Sequence, residues 1–217
     1  MFFKKVMKTK NRNEQEKFWA GNFGDQYISR NSSSMLVESN LRMFKRIFRN
    51  KKIPNDCIEL GANIGLNLKA LKKISPDMKI NAIEINKKAI MQLKKILPTK
   101  NIFEGSITEK NIEFLKNKKF ELVFTKTVLI HINPKLLKDV YELIYNISSK
   151  FILFCEYYNP SPTNVIYRNN TNKLFKRDFA GEFLDIYKDT KLVDYGFVYH
   201  RDNCHPQDDI SWFLLKK

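Results

Sequence analysis

Cysteine is scarce in this sequence. Cys57, Cys155 and Cys204 are far apart and odd in number, no CxxC spacing occurs, and His131, His200 and His205 form no ligand pattern with them. Neither a disulfide framework nor a metal site is therefore expected. Long apolar runs are missing too. The best of them, residues 120–132, is broken by Glu121, Lys126 and His131 and falls short of the roughly 18 residues that span a bilayer. The basic stretch 1–10 is followed by no apolar core and no small-residue cleavage site, so no signal peptide is expected and the chain reads as cytoplasmic. Repeats and linkers are absent, and a length of 217 residues suits one domain with a filled core.

Acidic residues are outnumbered, 23 against 39 basic ones, for a formal net charge of +16. Arginine is the rarer cation, only eight of those 39, and the lysines are scattered through every predicted helix. Phosphate and base readers favour the arginine fork. The balance argues against a nucleic-acid face and for an anionic small molecule.

Along the chain, an N-terminal part (1–54) carries a short amphipathic pattern at 13–19, a turn-rich segment at 19–31 and a longer helical pattern at 35–49. Apolar strand runs at 57–60, 79–83, 102–103, 120–124 and 151–155 then alternate with helical patterns at 64–74, 86–97, 108–116 and 135–146. That rhythm over 55–156 predicts a Rossmann-like, doubly wound α/β fold with a mostly parallel sheet and helices on both faces. The last part (157–217) begins with a long polar loop at 159–172, a helix at 174–187 and two β-rich runs at 192–200 and 210–215. The two runs are placed to add an antiparallel pair, giving seven strands.

In such sheets ligands lie beyond the carboxyl ends of the strands. Glu59, Gly61 and Gly65 stand at the end of the first strand, in the run Asp-Cys-Ile-Glu-Leu-Gly-Ala-Asn-Ile-Gly. A dinucleotide fingerprint needs a middle glycine to admit a pyrophosphate, and Asn63 occupies that place. Glu84, at the end of the second strand, is placed to accept the hydroxyls of a ribose. The pattern predicts a nucleoside without a pyrophosphate.

With Glu59, Gly61, Gly65 and Glu84 so placed, the chain resembles the class I S-adenosylmethionine-dependent methyltransferases. That resemblance implies S-adenosyl-L-methionine as cofactor, with Glu59, Gly61, Ala62, Asn63 and Gly65 against its methionine and ribose. It also implies Glu84 and Ile85 at the ribose, Ser106 and Ile107 at the adenine, and Thr125 and Lys126 on the sulfonium side. Many members carry Asp or Asn where Ser106 stands. The runs at 124–134, 156–160, 174–182, 19–27 and 207–215 are similar to methylases associated with pseudaminic acid biosynthesis, which implies an acceptor near a nine-carbon acidic sugar or its nucleotide.

Within that reading Tyr27 and Arg30 fold over the cofactor, the guanidinium meeting its carboxylate. His131 is the candidate base, and Glu156, Tyr157 and Tyr158 face the acceptor. Arg168, Lys173, Lys176 and Arg177 are a candidate clamp for an acceptor carboxylate or phosphate. Each has a plainer alternative: Glu84 as a helix-start carboxylate, His131 as a backbone-bonded turn residue, the tyrosines as packing, the cations as solvated charge. Two other readings stay open at this level, a methyltransferase acting on RNA or protein and a cofactor-binding partner without catalysis.

Overall fold

The computed structural model describes residues 12–110 and 112–217; the basic stretch 1–10 and its reading lie outside them. Three helices come first, α1 (Glu14–Ala20), α2 (Asn22–Arg30) and α3 (Ser34–Ile47). The chain then alternates through β1 (Asp56–Leu60), α4 (Leu66–Ile74), β2 (Lys79–Glu84), α5 (Lys87–Leu93), β3 (Ile102–Glu104), β4 (Phe120–Lys126), α6 (Leu137–Ile147) and β5 (Ser148–Glu156). A hairpin of β6 (Thr163–Tyr167) and β7 (Asn170–Lys176), helix α7 (Phe179–Ile186), and strands β8 (Lys191–Val198) and β9 (Ile210–Lys216) follow.

Seven strands make one sheet in the order β3-β2-β1-β4-β5-β9-β8. Pairings from β3 through β5 are parallel, and β9 runs antiparallel to both of its neighbours. This is the Rossmann-like, mostly parallel sheet expected from the alternation. The order reverses between β1 and β4, so their carboxyl ends flank a crevice.

Strand alternation decides what faces each helical layer. Cys57, Leu122, Phe124, Leu153 and Cys155 point toward α3, α4 and α5. Ile58, Leu60, Val123, Ile152 and Phe154 point toward α6 and α7. Phe44 of α3 meets Phe124 edge-on, with ring centroids 5.7 Å apart, a geometry worth about 0.5–1.5 kcal/mol beyond simple burial. Glu59 shares the alternation of Cys57, so its carboxyl is carried into the α3–α4 layer. Among the described residues no helix is long and apolar enough to cross a membrane.

Four sequence expectations change. The segment at 19–31 is helical from Asn22 onward, because Gly21 takes an extended cap conformation and restarts the chain as α2. Gly24 serves that packing: a Cβ there would lie 1.9 Å from the Trp19 carbonyl oxygen. The helix expected at 108–116 is reduced to a single 3-10 turn at Glu113–Leu115.

The long polar loop is the β6–β7 hairpin. Arg168 and Asn169 have φ of 46° and 62°, and Tyr167 pairs with Asn170 across them. Two consecutive left-handed residues are the geometry of a tight hairpin turn. The predicted helix at 174–187 starts only at Phe179, where the Asp178 carboxylate accepts the Gly181 N–H at 2.8 Å.

Candidate functional site

The turn after β1 is a backbone clasp. Gly61 and Ala62 both donate their N–H groups to the Ile83 carbonyl, at 2.9 and 3.0 Å. Gly61, Asn63 and Gly65 have φ of 78°, 48° and 76°, a left-handed series that glycine and asparagine tolerate best. A Cβ on Gly61 would sit 2.7 Å from Val128 Cγ2, so this turn presses against the one after β4. Gly65 does something other than line the crevice. A Cβ there would sit 2.6 Å from Ile96 Cδ1 and 2.8 Å from Leu93 Cδ2, so its bare backbone seats α4 against the end of α5.

Over the strand ends lies a cavity of about 610 Å³, within the usual range for small-molecule sites. Gly61, Ala62 and Asn63 form its floor, and Glu84, Ile85, Ser106 and Ile107 one wall. Lys126 and His131 stand on the opposite side, and Tyr27 and Arg30 belong to the roof. Thr125 does not reach it. That side chain is fully buried below the wall, and its hydroxyl has no partner.

Three polar links tie α1 and α2 over the cavity. The Thr108 hydroxyl donates to Glu16 at 2.6 Å. The Asn86 amide donates to the Trp19 carbonyl at 3.2 Å and to Asp25 at 2.9 Å, and Gln15 donates to the Asn172 carbonyl of β7 at 3.1 Å. Trp19 lines the cavity with its ring centroid 4.5 Å from that of His131. The sequence offered no sign of this role, since a tryptophan at helical spacing reads equally well as core.

Three buried glutamates end three parallel strands, and their oxygens are used differently. Glu84 accepts from the N–H groups of Asn63 at 2.6 Å, Ile85 at 2.8 Å and Asn86 at 2.7 Å. Burial raises its pKa against those three bonds. Glu156 accepts from Val128 at 3.2 Å, Leu129 at 3.1 Å and Ile130 at 3.5 Å, while burial pushes its pKa to about 7. It is therefore not the acceptor-facing group expected from its place in the chain. Its carboxyl is directed into the start of the 3-10 turn Leu129–His131 and lies outside the cavity wall.

Glu59 stands apart from these two. Oε1 accepts from the Asn67 amide at 2.6 Å, and Oε2 has no partner at all. Desolvation pushes the pKa up to about 8, against the Asn67 bond and the Lys126 charge. The carbonyl oxygens of Asn63 and Asn67, both in the cavity wall, are also buried without partners. Unpaired buried acceptors are rare in folded proteins, and these three belong to one strand–turn–helix unit, β1 to α4.

His131 Nδ1 lies 2.6 Å from the Lys173 carbonyl oxygen. A carbonyl only accepts, so Nδ1 carries the proton and Nε2 is left as an acceptor. Desolvation lowers the pKa to about 4, which keeps the ring neutral and makes it a weak proton acceptor. Thr127 beside it has φ 54°, an outlier for a β-branched residue and a form of strain that clusters at functional sites.

The remaining predicted residues do not converge on the cavity. The Tyr157 hydroxyl donates to Asp208 at 2.8 Å, and Tyr158 is exposed beside Phe213. Lys173 is buried in an ion pair with Glu14, and Arg177 is paired with Glu182. Lys176 lies over the Tyr157 ring, and Arg168 occupies the hairpin turn. Lys173 and Arg177 are already paired, and none of the four cations lines the cavity. Residues absent from the sequence reading take up the wall instead: Asn40, Asn67, Gln207 and Asp208. Asn40 and Asn67 are single polar side chains on helices and carry no spacing signal; Gln207 and Asp208 lie in the loop before β9, in a run that carried a resemblance but no site role.

Two stability experiments follow from these carboxyls. Glu156→Ala strands three backbone N–H groups and should cost at least about 2 kcal/mol in urea unfolding; an unchanged midpoint would mean the turn stands without it. Glu59 has a folded-state pKa above its unfolded one. Its contribution is therefore complete below about pH 4.5 and is lost as pH rises toward 8, at up to about 1.4 kcal/mol per pH unit. Glu59→Gln should raise the melting temperature more at pH 8 than at pH 5, and an equal gap at both would contradict the raised pKa.

No protein-family model matches the sequence, and no curated protein matches it. Solved structures do match in fold. A SAM-dependent methyltransferase from Leishmania major superposes with a TM-score of 0.68 at 12% identity, covering 93% of this chain and 81% of that one. The O-methyltransferase of a trans-AT polyketide multienzyme from Brevibacillus brevis, in complex with S-adenosyl-L-homocysteine, gives 0.64 at 12% identity, covering 97% and 81%. A SAM-dependent methyltransferase from Archaeoglobus fulgidus gives 0.62 at 15% identity, covering 90% and 100%. The chain has the Rossmann-like fold of these methyltransferases.

Proposed function

We propose that the protein transfers a methyl group from S-adenosylmethionine to a small anionic acceptor derived from a sugar, of the nine-carbon acidic class. The observation that carries the donor is the trio of unpartnered acceptors, Glu59 Oε2, Asn63 Oδ1 and Asn67 Oδ1, beside the glycine turn. An α-ammonium group is a three-donor cation that would satisfy them. One strand away, Glu84 accepts two N–H groups on Oε1 and one on Oε2, which leaves a lone pair on Oε2 for a ribose hydroxyl. Ser106 and Ile107 would border the adenine, and Arg30, which has no ion pair among the described residues, would meet the carboxylate. The residues present fit the cofactor.

When bound, S-adenosylmethionine supplies a sulfonium-activated methyl carbon for in-line displacement. The chain's part is orientation and exclusion of water, which can provide much of the acceleration. Trp19 and Tyr27 close the roof, and the Tyr27 hydroxyl is held neutral because desolvation raises its pKa. Neutral His131, with Nε2 free to accept, is suited to orient an acceptor hydroxyl and is a weak base for removing its proton. Neighbours of the same fold include the plantazolicin methyltransferase BpumL and the glycopeptide N-methyltransferase MtfA, whose names favour small acceptors. The net charge of +16 keeps RNA as a second reading, and binding with a steep salt dependence would support it.

Two calorimetric measurements check the donor site. Glu84→Ala should weaken S-adenosylhomocysteine binding by about 10- to 100-fold, and unchanged affinity in a folded variant removes the ribose assignment. Seating an ammonium beside Glu59 stabilises its carboxylate, so binding near pH 7 should release up to one proton. Titrations in buffers of different ionisation enthalpy should show this release for the native protein and lose it in Glu59→Gln. Binding without proton release would place the ammonium elsewhere.

A further inference from the structure

A second set of unsatisfied polar groups lies on the other side of the same cavity, toward β4 and β9. Lys126, at the carboxyl end of β4, lines the wall, and its ammonium makes no hydrogen bond or ion pair with any described residue. Asn40 of α3 is 3% exposed and Gln207, just before β9, is 7% exposed; both line the cavity. Gln207 donates its amide to the Ser39 carbonyl at 2.9 Å, which fixes the side chain. Asn40 Oδ1 and Gln207 Oε1 are buried without any partner. Asp208 adds a carboxylate with Oδ2 engaged by the Tyr157 hydroxyl.

We infer that Lys126, Asn40, Gln207 and Asp208 form the acceptor subsite, and that it takes a polyhydroxylated carboxylic acid, with the carboxylate on Lys126 and hydroxyls on the three acceptor side chains. This rests on the donor reading above and adds the residues that would hold the acceptor. The ratio of groups decides the class. One ammonium supplies donors for one carboxylate, while a phosphate dianion would call for a richer donor set. The facing side chains offer acceptor oxygens, which require a ligand rich in O–H groups. An ammonium drawn out of water with no direct partner is expensive; Asp208, Glu59 and Glu156 act on it through charge alone, without a hydrogen bond or ion pair. The bay is also separate in origin from the trio at the glycine turn. Its atoms come from α3, β4 and the segment before β9, whereas the trio comes from β1 and the turn and helix that follow it. Strain at Thr127, with φ 54°, sits at the junction of the two halves.

The test uses the full chain, with and without S-adenosylhomocysteine, and two probe acids, glucuronate and N-acetylneuraminate, against neutral glucose. Calorimetry or ligand-observed NMR should show that the acids bind and glucose does not. Lys126→Met should weaken acid binding by at least about tenfold, with Asn40→Leu and Gln207→Leu weakening it in the same direction. Affinity for S-adenosylhomocysteine should move by less than about threefold in Lys126→Met, which also shows that the variant folds. Lack of binding of either acid to the native protein at millimolar concentration would overturn the assignment. So would a Lys126→Met variant that loses S-adenosylhomocysteine but keeps 5′-methylthioadenosine, which lacks the amino-carboxylate, because Lys126 would then belong to the cofactor. Failure of the native protein to bind S-adenosylhomocysteine at all sinks the donor reading instead, and acid binding without it is still read directly.

Discussion

The carboxylate of Glu84 is the joint on which the crevice depends. Its bond from Asn63 holds the turn after β1, and its bonds from Ile85 and Asn86 hold the start of α5. Asn86, placed in this way, caps α5 through the Ala89 N–H and reaches up to Trp19 and Asp25 of the N-terminal helices. Strand end, glycine turn, helix start and roof are therefore connected through two adjacent side chains. Hydrogen bonds to a buried charge are among the stronger ones, and each N–H left without its partner would cost the full desolvation penalty.

The three strand-end glutamates divide along the same physical line. Glu84 and Glu156 each gather three backbone N–H groups, so their burial is offset within the chain. Glu59 gathers one amide and leaves an oxygen bare. Folding alone does not account for that arrangement, because a glutamine could fill the same place without an ionisable group. The free oxygen makes sense if a ligand brings the missing donors. Stability is given up at one point in the site, beside a scaffold whose other two strand-end carboxyls each hold three backbone N–H groups.

Much of the scaffold was legible because buried parallel strands read as short apolar runs, and because glycine, proline and asparagine punctuate them. The glycine turn was located with Glu59 and Glu84 at its borders. What escaped is instructive. Helix α2 was hidden by Gly21 and Gly24, which read as a loop but serve as a cap and a close contact. The β6–β7 hairpin was hidden because its left-handed turn is made by Arg168 and Asn169, without the glycine that usually announces such turns. Position on the chain put Glu156 at a strand end, but could not say that its oxygens were already used by the following turn. The clamp of hairpin cations failed for a related reason. Sequence gives the presence of a charge, and only the fold says whether a counter-charge such as Glu14 or Glu182 has claimed it.

Net charge and local charge then do separate work. A formal charge of +16 raises the concentration of anions near the whole surface, without choosing among them. That contribution is screened over about 8–10 Å at ordinary ionic strength. The lysine and arginine side chains of the cavity wall are Arg30, on the roof, and Lys126, on the side opposite Glu84. Neither makes an ion pair with a described residue, and Lys126 is drawn out of water, which lowers its pKa, so that cation can discriminate between ligands that the surface merely attracts. Selectivity for an acid would therefore survive high salt while association slows. An RNA reader would behave the other way, losing affinity itself as its released counter-ions are met by added salt.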